Sequence, residues 1–176
     1  MEVTEGKIIA FLRSIRAGRV NRPVVGLGDD AALLRVPAGH DLLVSTDLFV
    51  EGVHFRREWL GARHAGRRAL CRALSDIAAM GGRPRWTFLS LALPKKLAPN
   101  WVKGFLRGFT DAARSYGLAL AGGDTSGSGS PVLLADVVVC GSLPRGSAVL
   151  RSGARPGDAI FVSGRLGATA AALAAG

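Results

Sequence analysis

Residues 61–93 read GARHAGRRALCRALSDIAAMGGRPRWTFLSLAL, and the order of their two halves decides the fold class. Ala65, Ala69, Leu70, Ala73, Leu74, Ile77 and Ala78 recur at helical spacing, so a helix is predicted over 61–80. Gly81 and Gly82 end it, and Pro84 prevents its continuation. RWTFLSLAL at 85–93 then reads as a strand. Upstream, DLLVSTDLFV at 41–50 is a strand entered from a turn at Pro37–Gly39. Residues 24–36, VVGLGDDAALLRV, break at Gly26 and Gly28 and then read as an earlier strand. At the N-terminus, Ile8, Ile9, Phe11, Leu12 and Ile15 form a helical stripe, with Thr4 as N-cap and Gly18 as stop.

Downstream, residues 98–116 form an amphipathic helix carrying Trp101, Phe105, Phe109 and Ala112. A short strand at 118–121, a loop GGDTSGSGS at 122–130 and a long strand at 132–143 follow. A basic connection from Arg151 to Asp158 leads to a strand at 159–163, and SGRLGATAAALAAG closes the chain as a Gly turn opening an Ala-rich helix. The predicted class is α/β (α+β). Its order is β-β-α-β-α-β-β, a split βαβ arrangement with one layer of helices on a mixed or antiparallel sheet.

A chain of 176 residues has room for one good-sized domain. Its 48% hydrophobic and 20% charged residues exclude disordered and fibrous classes. Cys71 and Cys140 lie far apart and form no CxxC pair, so neither a disulfide scaffold nor a cysteine zinc site is indicated. No apolar run approaches the roughly 18 residues of a membrane span, and the N-terminus has no signal-peptide core. The expectation is a reducing cytoplasm and no membrane partner. Lys and Arg total 23 against 13 Asp and Glu, a net charge of +10. That excess suits nucleic acid or an anionic small molecule alike, but no segment reads as an RNA-binding aromatic sheet motif, which disfavours nucleic acid.

Five acids stand out by context. Asp29, Asp30, Asp47 and Asp124 sit at strand ends and turns beside Gly, Ser or Thr, and Asp76 lies on the apolar helix segment LSDIAAMGG. None pairs at i,i+4 with a base on an obviously solvated helix face. Carboxylates from separate loops, with Ser45, Thr46 and Thr125 alongside, supply hard oxygen ligands that suit Mg²⁺ better than Zn²⁺. Each Asp taken alone also fits a structural role, as a turn former or a helix residue bonded to backbone. GLGDD, GGDTSGSGS and SGRLG expose backbone N–H groups to which an anion can come close. No GxxxxGK[ST] or GxGxxG stands in a strand-to-helix setting, so P-loop and dinucleotide folds are disfavoured.

Five motifs stand in the order and spacing of the thiamine-monophosphate kinase family. They are GLGDDAALL from Gly26, STDLFVEGVHF from Ser45 to Phe55, LSDIAAMG from Leu74 to Gly81, AGGDT from Ala121 to Thr125, and RSGARPGD from Arg151 to Asp158. The chain resembles that family, within the PurM-like (aminoimidazole ribonucleotide synthetase) superfamily, from about Lys7 to Gly176. GDDAA and GGDT are shared across the superfamily, whereas VEGVHF with SDIAAMG points to the thiamine enzyme. It departs from the family pattern at Ala73, often Asn, and at Leu48, often polar.

The resemblance implies a PurM-like fold whose strands pair into a dimer barrel, hence a homodimer. It implies ATP-dependent phosphorylation of thiamine monophosphate to thiamine diphosphate with several Mg²⁺ ions. Carried over by position, Asp30, Asp47, Asp76 and Asp124 are Mg²⁺ ligands, completed by Ser45 and Thr46. Gly123 and Asp124 lie against the ATP phosphates, Arg151 contacts ATP phosphate, and His54 contacts thiamine phosphate. Asp47, Asp124 and Arg151 form the catalytic set. Residues 1–165 are then an N-terminal ATP- and Mg²⁺-binding domain, and 166–176 open a linker helix toward a second domain that this chain lacks. Two other classes stand beside this reading: a different ATP-using enzyme of the superfamily, and a non-catalytic dimerising module that binds metal and nucleotide.

Overall fold

A computed structural model describes residues 4–15, 21–27, 29–162, 164 and 166–174. Four helices and four strands are present among them, in the order α1 (Glu5–Ser14), β1 (His40–Val50), α2 (Ala62–Ala79), β2 (Arg83–Pro94), α3 (Pro99–Ser115), β3 (Ala119–Ser128), β4 (Leu134–Pro144) and α4 (Ala168–Ala174). The strands form one mixed sheet in the order β1-β4-β2-β3. β4 runs antiparallel to both β1 and β2, and β3 pairs in parallel with β2. β1 and β2 therefore run the same way with β4 inserted between them. A helix joins each parallel step, as such connections require.

Strand alternation divides the sheet into two unlike faces. Phe49, Leu89, Leu91, Ala135, Val137 and Val139 point to one side and join Ile8 of α1, Leu70 and Ile77 of α2, and Phe105 and Phe109 of α3 in the main core. α2 and α3 pack on each other with almost no space. A Cβ at Gly66 would lie 2.0 Å from the Phe105 carbonyl oxygen, and one at Gly108 would lie 1.9 Å from that of Arg63. Only glycine lets these two backbones approach so closely. Pro99 starts α3 at its first turn, where its missing N–H costs nothing.

The other face carries a smaller core of Trp86, Ala119, Ala121 and Cys140, against which Ala32, Leu34 and Val36 pack. That cover reaches only part of the face. On β1, Leu42, Val44 and Leu48 are 50%, 60% and 51% exposed.

Three expectations from the sequence are corrected. Among the described residues of 24–36 no strand forms: only the bridges Val25↔Leu33 and Leu27↔Asp29 occur, the antiparallel bridge showing that the segment folds back on itself instead of joining the sheet. Gly28 and the expected helix stop Gly18 lie outside the described residues. The Gly-Ser-rich stretch after Ala121 is strand as far as Ser128, since β2 offers it a parallel ladder that overrides weak propensity. Of the strand expected at 159–163, residues 159–162 are irregular, with Ile160 and Phe161 93% and 90% exposed, and Ser163 lies outside the described residues. The observed order is thus α-β-α-β-α-β-β-α rather than one opening on two strands.

Candidate active site

β1 places Ser45, Thr46 and Asp47 in succession, so Ser45 and Asp47 turn toward α2 while Thr46 turns to the opposite face. The Ser45 hydroxyl donates to Asp76 Oδ2 at 2.5 Å, and Arg72 Nη2 stands 3.6 Å from Asp47 Oδ1. Two residues along a strand advance about 6.6 Å, and four along a helix about 6 Å. The step from Ser45 to Asp47 is therefore matched by the step from Asp76 back to Arg72. Two contacts can form at once only because these periods agree. Arg72 lies four residues before Asp76, yet its ion pair is with Asp47.

His54 follows β1 in a tight turn. Gly52 at φ +82° allows the reversal, its N–H donates to the Phe55 carbonyl at 2.8 Å, and the His54 N–H donates to the Val50 carbonyl at 2.8 Å. The Val50 N–H donates back to His54 Nδ1 at 2.9 Å. Nδ1 is an acceptor in that bond, so the neutral ring carries its proton on Nε2. Desolvation holds the imidazole below its ordinary value of 6.5. The Arg72 guanidinium pushes the same way, Asp47 opposes it, and Arg68 adds a smaller push downward. The neighbouring Phe55 is buried and stacks on Phe49 at 4.6 Å and on Trp101 of α3 at 6.2 Å, which anchors the turn to the core.

Asp124 lies on β3 beside Ser90 of β2, whose other neighbour is Asp136 of β4. In-register neighbours share a face, and this is the face away from α2 and α3. The Thr46 hydroxyl donates to Asp136 Oδ1 at 2.8 Å on that same face. Gly123 precedes Asp124 with φ +154°, and a Cβ there would lie 2.0 Å from the Leu89 carbonyl oxygen. Asp30 is exposed on the segment covering the second core, with its N–H bonded to Asp29 Oδ1 at 2.9 Å. Arg151 opens an exposed 3₁₀ turn, Arg151–Gly153, two residues after the Val149 N–H joins the Met80 carbonyl at 3.1 Å.

Ser45, Asp47 and Asp76 thus meet along one β1–α2 seam, near His54. Thr46 and Asp124 belong to the opposite face, and no contact between Asp30 or Arg151 and Asp47, Asp76 or Asp124 is observed among the described residues. No three His, Cys, Asp or Glu side chains among the described residues converge closely enough to hold a metal ion. The donor chemistry of the seam, carboxylates and a hydroxyl without thiolate, nevertheless fits Mg²⁺. Burial raises the Cys140 thiol, which keeps it protonated and inert.

Two contributors escaped the sequence reading. Asp136 is a lone acid inside the apolar strand LLADVVV, an anomaly visible by inspection. Arg72 gave no signal, since an arginine on an amphipathic helix reads as a solvated residue. Glu51 of the VEGVHF motif is a structural acid: it is buried, pairs with Arg57, and accepts the Leu133 N–H at 2.8 Å.

Residues 28–143 match the profile of the family described as AIR synthase related protein, N-terminal domain. Thiamine-monophosphate kinase of Bacillus subtilis is 42% identical over 149 residues, which are 85% of this chain and 46% of that protein. The crystal structure of thiamine-monophosphate kinase from Stenotrophomonas maltophilia superposes with a TM-score of 0.78 at 39% identity, covering 99% of this chain and 53% of that one. A solved structure of AaThiL complexed with AMPPCP and TMP gives a TM-score of 0.72 at 34% identity, covering 97% of this chain and 50% of that one. The chain spans about half the length of the curated relatives it matches. With two thirds of its residues inside the family profile and the same fold in its solved relatives, this chain belongs to the AIR synthase related protein family, as an example of its N-terminal domain.

Proposed function

We propose that this chain is the N-terminal, metal- and nucleotide-binding half of a thiamine-monophosphate kinase, which moves the terminal phosphoryl group of ATP onto thiamine monophosphate. The observation that carries the reading is the seam itself. VEGVHF and SDIAAMG are the motifs closest to the thiamine enzyme; Ser45–Asp76 and Asp47–Arg72 join β1 to α2, and Arg72 and Asp47 act electrostatically on His54. Phosphoryl transfer needs charge neutralisation and positioning more than a covalent nucleophile, and this seam has the groups for both.

Asp30, Asp47, Asp76 and Asp124, with Ser45 and Thr46, are the residues that would hold Mg²⁺, which when bound screens and orients the phosphates. Arg72 holds Asp47 in place by its ion pair. His54, neutral and donating from Nε2, is suited to a phosphate oxygen of the acceptor. Gly123 and Asp124 lie against the ATP phosphates, and the Arg151 guanidinium is a planar fork for phosphate. In this proposal residues 1–165 are the ATP- and Mg²⁺-binding N-domain and 166–176 begin the link to a second domain. The exposed apolar row on β1 supports a homodimer closed through the open face, and consumption of ATP favours the cytoplasm. No helix among the described residues is long and apolar enough to cross a membrane.

The test is a chimera in which this chain replaces the matching half of the Bacillus subtilis relative. It is expected to form thiamine diphosphate from ATP and thiamine monophosphate with Mg²⁺. Asp47→Asn should lower that rate by about 10²–10³, the usual cost of losing one electrostatic stabiliser. A folded chimera that makes no thiamine diphosphate overturns the reading, and full activity in Asp47→Asn overturns the residue roles.

A further inference from the structure

Three parallel strands, β1, β2 and β3, end at one edge of the sheet, at Val50, Pro94 and Ser128. Just beyond those ends lies a groove of about 480 Å³, lined by Arg57, Lys95, Lys96 and the turn Ser128–Pro131, with Pro94 at its back. Every polar side chain in that lining can donate a hydrogen bond, and no carboxylate is among them. The serine and lysine donors are also uncommitted. Ser128 Oγ accepts from the Ser130 N–H at 3.0 Å and Ser130 Oγ accepts from the Val132 N–H at 3.3 Å, which leaves both hydroxyl protons to give. Lys95 and Lys96 are exposed and have no ion pair among the described residues.

Arg57 is held from behind. Its Nε is engaged by buried Glu51, whose other oxygen takes the Leu133 N–H, so the guanidinium is fixed with its terminal nitrogens free. A planar fork fixed in this way binds an oxyanion at small entropic cost. We propose that this groove binds the phosphate or diphosphate group of a small molecule. Its volume is that of a small-molecule site, roughly 300–1,000 Å³, and it is a recess rather than the extended basic stripe that nucleic acid needs. None of the residues assigned above to metal, ATP or thiamine phosphate lines it, so the site is an additional one.

The test titrates inorganic pyrophosphate into the chain by calorimetry, without metal or acceptor, at about 0.15 M salt so that diffuse attraction is screened. Saturable one-site binding is expected, weakened about tenfold or more in Lys95→Ala/Lys96→Ala, whose exposed side chains carry no part of the fold. Arg57→Lys, which keeps the charge beside Glu51 but removes the fork, should also weaken it. Unchanged affinity in the double lysine variant overturns the proposal. So does a short single-stranded oligonucleotide that binds through the same lysines more tightly than pyrophosphate, since the surface is then one for nucleic acid. Because neither metal nor thiamine phosphate is present, failure here leaves the kinase proposal untouched.

Discussion

The two faces of the sheet are made from alternate residues of the same strands, yet they are physically opposite. On the helix side, Ala135, Val137 and Val139 are fully buried between β1 and β2 and the α2–α3 pair. On the open side, Leu42, Val44 and Leu48 are at least half exposed, and the next polar row holds Thr46, Asp136 and Asp124. The difference separates two tasks. The covered face supplies stability through area removed from water, at about 25 cal/mol per Å². The open face has apolar area still to bury, on an edge strand, which is a costly arrangement unless something covers it. The proposed site residues lie on both faces, because three consecutive β1 residues must alternate.

The largest expected effect comes from breaking the covered face where it is tightest. Gly108→Val puts a branched side chain where a single Cβ already falls 1.9 Å from the Arg63 carbonyl oxygen, so α2 and α3 must separate. Urea denaturation should show a loss of more than about 3 kcal/mol, or no folded chain at all. A loss below about 1 kcal/mol would mean that the helix pair is not the rigid unit that positions Arg72 and Asp76.

The open face should respond in the opposite way. Val44→Lys/Leu48→Lys changes side chains that are already half in water, so unfolding should shift by no more than about 0.5 kcal/mol per site. Self-association should fall sharply, and sedimentation velocity should show the parent chain sedimenting as a dimer and the variant as a monomer. If both chains sediment alike, the apolar row is not what pairs them.

How much of this was legible beforehand depended on whether period or pairing decided the structure. α2, β2 and α3 came within about two residues of the reading, since Gly81, Gly82, Pro84 and Pro99 punctuate strong periodic runs. β3 was not legible past Ala121, because GGDTSGS has no strand propensity of its own and takes strand form from β2. The strand expected at 24–36 failed for the converse reason: VV and ALLRV have strand character but no ladder partner beyond one bridge. At the site, the Ser45, Asp47 and Asp76 motifs could be quoted from the sequence, but their seam depends on a helix and a strand advancing by equal steps. Arg72 depends on that seam as well. No local pattern marks it out from Arg68, one turn earlier on the same helix.

The smallest expected effect falls at the rim between the two faces, where His54 joins the seam to solvent. Its folded pKa lies below 6.5, chiefly through desolvation, with Arg72 acting in the same direction. The unfolded chain therefore binds a proton more readily than the folded one as pH falls through 6.5. The contribution of neutral His54 is fully present above that value and is lost progressively below it. There is a structural reason as well: Nδ1 accepts the Val50 N–H, and an imidazolium has no lone pair with which to do so. The loss should approach the net worth of one hydrogen bond, about 1 kcal/mol, by pH 5. Unfolding free energies measured from pH 8 to pH 5 should bend downward below 6.5 in the parent chain, and less so in His54→Gln. The difference between the two curves reports the imidazole together with its interaction with Asp47. Parallel curves would place His54 outside the seam, free of both Arg72 and Val50, and would leave the Ser45–Asp76 and Asp47–Arg72 contacts as its only members.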